Sequence, residues 1–386
     1  QGRRTARFVS PIPSINFVMI QSARYAVKTA DSDGVKLEVY YDPQHPKNID
    51  RMLRAMDDSL DYFRKNFGPY QYPYARIIER PSYGGGANSA AGTIGFSEKI
   101  GFNMDLSDPK RLDFLSYVAS HELAHQYWFH QLMPADMQGA EVLTEGLAQY
   151  SALMVMKHRY GPDHLRQFLK YEVDQYLQGR RMEKGEENPL FRTRKQGYIH
   201  YNKASIVMFL IQERLGEERV NAVLRGLLAQ YRFKGAPYAR SSDLVDGLLA
   251  TARTPQEREL IRDQFERITL YDLRAKQATV RRLPGGQYET TITVHAGQAY
   301  ADGQGNERKA AFDQQVDIGV FTANPADLGF GRANILSIRR LPIRSGEQQV
   351  RIVTKGKPIY AGVDPWLTFI DRNANDNIIA VSSLGR

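Results

Sequence analysis

The chain has 386 residues, a formal net charge of +9 at pH 7, 42% hydrophobic and 25% charged residues, and no cysteine. This composition is typical of a globular protein, and the length is sufficient for two or three domains. The absence of cysteine excludes disulfides, thiolate metal sites and cysteine nucleophiles. No apolar run reaches the length of a membrane span. Because the basic residues are scattered in short groups, we expect a solvated basic surface and no nucleic-acid partner.

The pattern of residues 1–30 predicts two short strands around Pro11-Ile12-Pro13. We predict that they end an N-terminal β domain or form linker strands. Since the chain begins with Gln1, we expect a piece of a longer protein, with any targeting segment outside it. Residues 35–42 alternate apolar and polar side chains, which predicts a half-buried strand.

The next elements alternate between helix and strand. Apolar residues at helical spacing predict a helix over 48–67, ended by Gly68-Pro69, and a strand follows at 73–80. A glycine-rich loop, 83–89, then leads into a strand at 93–97. Its glycines allow close backbone approach to a ligand, and a strand at a cleft can pair with a peptide, although a plain surface turn is the alternative. The predicted substrate-binding residues are Gly85, Gly86, Ala87, Asn88 and Ser89.

A helix starting at Asp108-Pro109, an acidic N-cap followed by proline, carries the segment His121-Glu122-Leu123-Ala124-His125 near its end. Histidines four residues apart lie one turn apart on one helix face, where both imidazoles reach one metal ion. The glutamate between them points toward the same open side. The alternative is an ordinary helix with two histidines and a surface glutamate.

A second helix is predicted from about Ala140 to Tyr160, with Gly161 as its C-terminal stop. It carries Glu145, twenty residues after His125. Two neutral imidazoles and one carboxylate form a tetrahedral zinc site with one open position. We therefore predict one Zn²⁺ per chain, bound by His121, His125 and Glu145, with Glu122 as the general base.

Five further helices are predicted, at 163–178, 198–215, 217–232, 241–250 and 255–267, with Ser242 and Thr254 as caps. The helix from 198 opens with side chains able to stabilise an oxyanion: Tyr198, His200 and Tyr201. After about residue 273, short alternating strands and turn signals predict an all-β sandwich. Within it, 371–377 has the acidic spacing of a calcium loop without its glycine and closing glutamate, so a polar turn is preferred.

Around the predicted zinc ligands and Tyr201, the sequence resembles the M1 family of zinc aminopeptidases, gluzincins with a thermolysin-like catalytic domain. The stretch Thr144-Glu145-Gly146-Leu147-Ala148-Gln149-Tyr150 is similar to the family's Asn-Glu-Gly-Phe-Ala-x-Tyr, and Tyr201-Asn202-Lys203-Ala204 to its Tyr-x-Lys-Gly. Nineteen residues, 126–144, separate His125 from Glu145, where the family has eighteen. The resemblance implies that Tyr201 stabilises the transition state, and leaves His200 and Tyr198 as uncertain neighbours of the site.

One departure from the family pattern concerns the family's Gly-Ala-Met-Glu-Asn loop, which corresponds to residues 86–90. Ser89 stands where the family has the glutamate that holds a substrate's free amino terminus. The resemblance therefore implies a peptidase acting on peptides with altered recognition of the N-terminus. The alternative is a non-catalytic peptide- or partner-binding module of a membrane protein that retains the scaffold.

These patterns predict an α+β fold in three parts. They are residues 1–30, a thermolysin-like metallopeptidase domain with a helical subdomain at 31–272, and a C-terminal β-sandwich at 273–386. The whole chain also resembles the extracytoplasmic peptidase part of bacterial proteins in which such a domain is fused to a transporter-like permease. That resemblance implies a membrane-tethered location in the periplasm or at the cell surface, with a permease portion of the same full-length chain as partner.

Overall fold

The computed structural model describes residues 3, 5–7, 9–81, 84–108 and 111–383. An N-terminal sheet is followed by a helical middle part and then by two further sheets. The predicted α+β class is confirmed. None of the helices in these ranges combines the length and the apolar character needed to cross a membrane.

The N-terminal sheet has five strands: β1 (Ala26–Ser32), β2 (Val35–Tyr41), β3 (Tyr74–Arg80), β4 (Ala87–Ala90) and β5 (Thr93–Ser97). Their order is β1-β2-β3-β5-β4, and the pairs β2–β3 and β3–β5 are parallel. A parallel pair needs a crossover, which here is the helix α1 (Ile49–Phe67) between β2 and β3. Strand β4 lies antiparallel to β5 at the edge of the sheet.

The middle part consists of seven α-helices in the described chain: α2 (Phe114–Ala124), α3 (Leu147–Tyr160), α4 (Pro162–Met182), α5 (Ala204–Leu215), α6 (Glu217–Tyr231), α7 (Ser241–Thr251) and α8 (Pro255–Phe265). π-Helical turns at Val142–Gly146 and Tyr198–Lys203 run directly into α3 and α5, and another, Glu98–Phe102, follows β5. Helix α2 packs against α1 and α3, so the segment with the two histidines lies in the centre of the domain.

The C-terminal part is a two-sheet β structure, which confirms the predicted sandwich. Its strands are β6 (Ile268–Arg282), β7 (Tyr288–Ala301), β8 (Glu307–Ala310), β9 (Asp313–Phe321), β10 (Ile335–Arg344), β11 (Gly346–Thr354), β12 (Tyr360–Val363), β13 (Ile378–Ala380) and β14 (Ser382–Ser383). One sheet has the order β10-β9-β12-β13, and the other has β11-β7-β6-β14 with β8 on β7. Strand β6 packs against β12 and β13 across the two sheets.

One prediction about the start of the chain differs from the structure. The described residues before Ala26 form no strand, so the strands predicted around Pro11 and Pro13 are wrong. Prolines lack the amide hydrogen that a strand ladder requires. The division into three parts stays a prediction; its boundaries after residue 30 and at residue 273 fall inside β1 and β6.

One predicted helix start and one predicted helix cap are also wrong. Helix α2 begins after Asp113, whose carboxylate accepts a hydrogen bond from Ser116 N at 3.2 Å, and Pro109 lies outside the described residues. Helix α7 is preceded by Arg240 rather than capped by Ser242. The Thr254 cap is confirmed, since its hydroxyl accepts from Glu257 N at 3.1 Å.

Candidate metal centre

Three side chains from two helical elements meet in the helical middle part and form what we call the metal cluster: His121, His125 and Glu145. The two Nε2 atoms are 3.1 Å apart, and Glu145 Oε2 lies 3.3 Å from His121 Nε2 and 3.2 Å from His125 Nε2. Zinc bonds of about 2.0–2.1 Å in a tetrahedron place ligand atoms about 3.3 Å apart. The donor set and its spacing therefore fit one zinc ion.

Local geometry explains how Glu145 reaches the two imidazoles. It belongs to the π-helical turn Val142–Gly146, and α3 packs against α2. A Cβ atom on Gly146 would lie 2.9 Å from Ala204 Cβ and 3.2 Å from the His200 carbonyl. Glycine at this position therefore allows the turn that carries Glu145 to pack directly on the start of α5.

The charges of the metal cluster suit a divalent cation. Burial by itself would raise the pKa of Glu145, but the imidazoles of His121 and His125 outweigh it and lower that pKa strongly. For His125, burial favours the neutral form, whereas Glu145 raises its pKa to about 9. The carboxylate is therefore ionised at neutral pH and provides the negative charge that a bound cation needs.

Glu122 and Tyr201 lie beside the metal cluster. Glu122 is only 6% exposed, and burial raises its pKa although the two imidazoles partly oppose this. The centroid of the Tyr201 ring is 5.8 Å from the centroid of the His121 ring. Burial and the Glu145 carboxylate raise the pKa of Tyr201, so its hydroxyl stays protonated and can donate a hydrogen bond.

The two uncertain neighbours of Tyr201 point to different surroundings. The His200 ring is 4.7 Å from that of Tyr201, and burial lowers the pKa of His200, which favours the neutral imidazole. Tyr198 instead donates to Glu183 Oε2 at 3.1 Å, and its ring stacks on Tyr176 of α4. Tyr198 thus holds its π-helical turn against α4.

The predicted substrate-binding loop forms the edge strand and its approach. Ala87, Asn88 and Ser89 lie in β4, with Gly85 and Gly86 just before it, whereas Tyr83 lies outside the described residues. Gly86 has a φ of +144°, which favours glycine.

Sequence reasoning missed the side chain that joins this strand to the metal-binding helix. Gln126, which directly follows His125, donates from Nε2 to Ser89 Oγ at 2.6 Å and to the Ala90 carbonyl at 2.9 Å. Its Oε1 accepts from Gly92 N at 2.9 Å. Gln126 is fully buried, and the signal available in the sequence was a polar residue among the apolar neighbours of a central helix.

A second group of possible ligands, which we call the His45 cluster, consists of His45, Glu79 and Glu98. His45 Nδ1 and Glu79 Oε1 are 2.5 Å apart, which is a charge-assisted hydrogen bond and is closer than two ligands of one cation approach each other. The other Glu79 oxygen accepts from Asp42 N. Glu79 raises the pKa of His45, which favours the protonated imidazole and an ion pair between these two residues.

The segment 371–377 also has a structural role. Asp371 accepts hydrogen bonds from Leu273 N at 2.9 Å and from Asn373 N at 3.0 Å, and Asn373 donates to Asp376 at 2.8 Å. These hydrogen bonds within the turn and to β6 support the polar-turn interpretation.

Comparisons with known proteins agree with this architecture. Residues 51–256 match the Peptidase family M1 domain. Human endoplasmic reticulum aminopeptidase 2 is 27% identical over 226 residues, which are 56% of this chain and 23% of that protein. Probable aminopeptidase 1 of Sulfurisphaera tokodaii is 26% identical over 185 residues, 46% of this chain and 23% of that protein. The chain thus matches about a quarter of the length of these relatives.

A solved structure extends the similarity beyond the matched residues. The crystal structure of Legionella pneumophila aminopeptidase A in complex with aspartic acid covers 94% of this chain with a TM-score of 0.55. The sequence identity is 13%, and 38% of that chain is covered. This likeness concerns the fold, a thermolysin-like domain followed by a β domain.

Proposed function

The chain belongs to peptidase family M1, and from this premise we propose that it is a zinc-dependent peptidase with one zinc ion per chain. The proposed ligands are His121, His125 and Glu145. The observation that carries the proposal is the spacing of their ligand atoms, 3.1–3.3 Å, among two buried imidazoles and one partly exposed carboxylate.

The proposed chemistry divides between the metal and two side chains. A bound zinc ion supplies a Lewis acid that polarises the scissile carbonyl and acidifies water. Glu122 takes up the water proton and passes it to the leaving amine. Because burial raises the pKa of Glu122, its carboxylate is a stronger base than an exposed one. The Tyr201 hydroxyl donates a hydrogen bond to the developing oxyanion.

Replacement of the general base tests the proposal. We expect Glu122→Gln to keep about one zinc per chain and to lower kcat by about 10²–10⁴-fold. Metal content is measured by elemental analysis and hydrolysis with a peptide library. Glu98→Gln is the control, because it removes a carboxylate outside the metal cluster. A Glu122→Gln variant with the turnover of the parent would exclude this role.

We also propose that recognition of the substrate N-terminus is altered. Ser89 stands where the family has a glutamate, and its hydroxyl already accepts a hydrogen bond from Gln126. The positively charged Arg80 lies close enough to the metal cluster to lower the pKa of Glu122. An extended substrate can still pair with the edge strand β4, but Ser89 offers no carboxylate for its ammonium group.

Matched peptides with free and acetylated N-termini test this specificity. A charged hydrogen bond contributes about 1.5–3 kcal/mol, or roughly 10–150-fold in kcat/KM. We expect the two peptides to differ by less than about tenfold. A larger preference for the free amine would show that another group replaces the missing glutamate.

The second candidate function is a binding module without catalysis, which the serine at position 89 favours. It predicts that zinc-loaded protein binds peptides without turning them over, so robust hydrolysis in the library assay eliminates it. The location outside the cytoplasm and the permease portion of the same chain stay predictions, and fractionation of cells that express the full-length protein tests them.

A further inference from the structure

A carboxylate that takes no part in the proposed chemistry lies behind the metal cluster. Glu172 of α4 is fully buried and accepts three side-chain hydrogen bonds. Tyr117 and Gln149 donate to Oε1 at 2.6 and 2.8 Å, and Asn202 donates to Oε2 at 2.7 Å. Burial of a carboxylate is energetically unfavourable unless hydrogen-bond donors surround it, so the three donors stabilise Glu172 at this position.

The two donors to Oε1 are placed in register with the metal ligands. Tyr117 precedes His121 by four residues on α2, and Gln149 lies in the first turn of α3, four residues after Glu145 of the adjoining π-helical turn. Side chains four residues apart in a helix lie one turn apart on the same face. One oxygen of Glu172 therefore joins the two elements that bring the ligands together.

The donor to Oε2 belongs to the element that carries the proposed oxyanion donor. Asn202 is adjacent to Tyr201 in the π-helical turn Tyr198–Lys203. The next residue, Lys203, is 1% exposed and lies 3.5 Å from Glu187. Both contacts hold this turn, and the bond from Asn202 is the one that connects it to the same carboxylate as the ligand-bearing helices.

We propose that Glu172 is a positioning residue for peptide hydrolysis. Its Oε1 fixes the helices that carry the metal ligands, and its Oε2 fixes the turn that carries Tyr201. This inference rests on the proposed function. It requires that the two oxygens have separable effects, one on zinc binding and one on kcat.

Non-additivity with Tyr201 tests the Oε2 half. Asn202→Leu is expected to lower kcat by about 10–100-fold, the usual effect of removing a residue that orients an active-site group, with KM within about threefold of the parent. In a Tyr201→Phe background the same change should lower kcat by less than about threefold, because the hydroxyl that Asn202 positions is already gone. Equal losses in both backgrounds would overturn the proposal.

A matched control separates positioning from general stability. Asn221→Leu removes another buried asparagine, whose side chain donates to Asn66 Oδ1 at 2.9 Å within the α1–α6 contact. It should lower Tm while leaving kcat within about twofold. If Asn202→Leu does not fold, Asn202→Ala replaces it, and a kcat equal to that of the parent in that variant would also contradict the proposal.

Zinc affinity tests the Oε1 half without using activity. Gln149→Leu is expected to weaken zinc binding by about tenfold in a competition with a chromophoric chelator, whereas Asn202→Leu should bind zinc like the parent. Unchanged affinity in Gln149→Leu would overturn this half. A parent protein that binds zinc but hydrolyses no peptide would instead refute the proposed function, so the two failures are distinguishable.

The conservative variant provides a rescue. In Glu172→Gln, the amide oxygen can keep both bonds of Oε1, and the amide nitrogen can donate to Asn202 once the Asn202 amide is flipped. We expect kcat and zinc affinity within about threefold of the parent in Glu172→Gln and losses of both in Glu172→Leu. A Glu172→Leu variant that keeps both properties would contradict the proposal.

Discussion

Two clusters in the same domain have similar ligands and different geometry. The metal cluster contains two histidines and a glutamate, and the His45 cluster contains one histidine and two glutamates, each within 4.8 Å. In the metal cluster the three ligand atoms are 3.1–3.3 Å apart, whereas in the His45 cluster one nitrogen and one oxygen are 2.5 Å apart. The comparison shows that residue types alone do not define a metal site.

The physical reason lies in what holds each group in place. The ligands of the metal cluster project from buried helices whose packing sets the distances between them. His45 lies in the connection between β2 and α1, and its imidazole can close directly on Glu79. Rigid elements thus keep the first group open for a cation, while the second neutralises itself.

The largest expected effect that sharpens this contrast is on zinc affinity. Glu145→Ala removes one of three proposed ligands, so we expect zinc affinity to fall by more than the roughly 10–100-fold typical of outer-sphere changes. Competition with a chelator measures it. Glu79→Gln in the His45 cluster is the matched change and should leave one zinc per chain. Loss of a second zinc in that variant would break the distinction.

Acidification is expected to have a smaller effect, confined to the metal cluster. Its imidazoles must be neutral to bind zinc, and Glu145 raises the pKa of His125 to about 9, so affinity should fall as the pH drops below that value, by up to about tenfold per pH unit for each proton taken up. Chelator competition between pH 5 and 8 measures this. An affinity independent of pH would contradict imidazole ligation.

The smallest expected effect concerns the His45 cluster, and it has the opposite sign. Because Glu79 raises the pKa of His45, the folded state binds more protons than the unfolded state above about pH 6.5. The stabilisation is therefore complete below that pH and is lost as pH rises through the higher folded-state pKa. Since His45 is partly exposed, we expect less than about 1 kcal/mol.

Denaturant unfolding of zinc-loaded protein, with His45→Gln as the comparison, measures this pH dependence. The difference in the free energy of unfolding between parent and variant should shrink as the pH rises. A difference that grows with pH would mean that the imidazole is held in its neutral form.

Local sequence patterns predicted the elements better than their ends. The apolar period of residues 48–67 and the histidine spacing of 121–125 both identified helices, because a helix repeats every 3.6 residues whatever surrounds it. The predicted start of α2 was wrong because Asp108 and Asp113 are both acceptable N-cap residues by sequence. Contacts of Asp113 with Arg51 and Tyr160 decide between them.

The sequence by itself determined the fold class, the family and the three residues able to bind a metal, because all of these depend on short-range spacing and residue chemistry. Only the tertiary structure decided which side chains support the site. Gln126 reaches β4, and Glu172 reaches α2, α3 and the turn before α5, through contacts between segments distant in the chain. No periodicity encodes such contacts, since packing of the whole domain creates them.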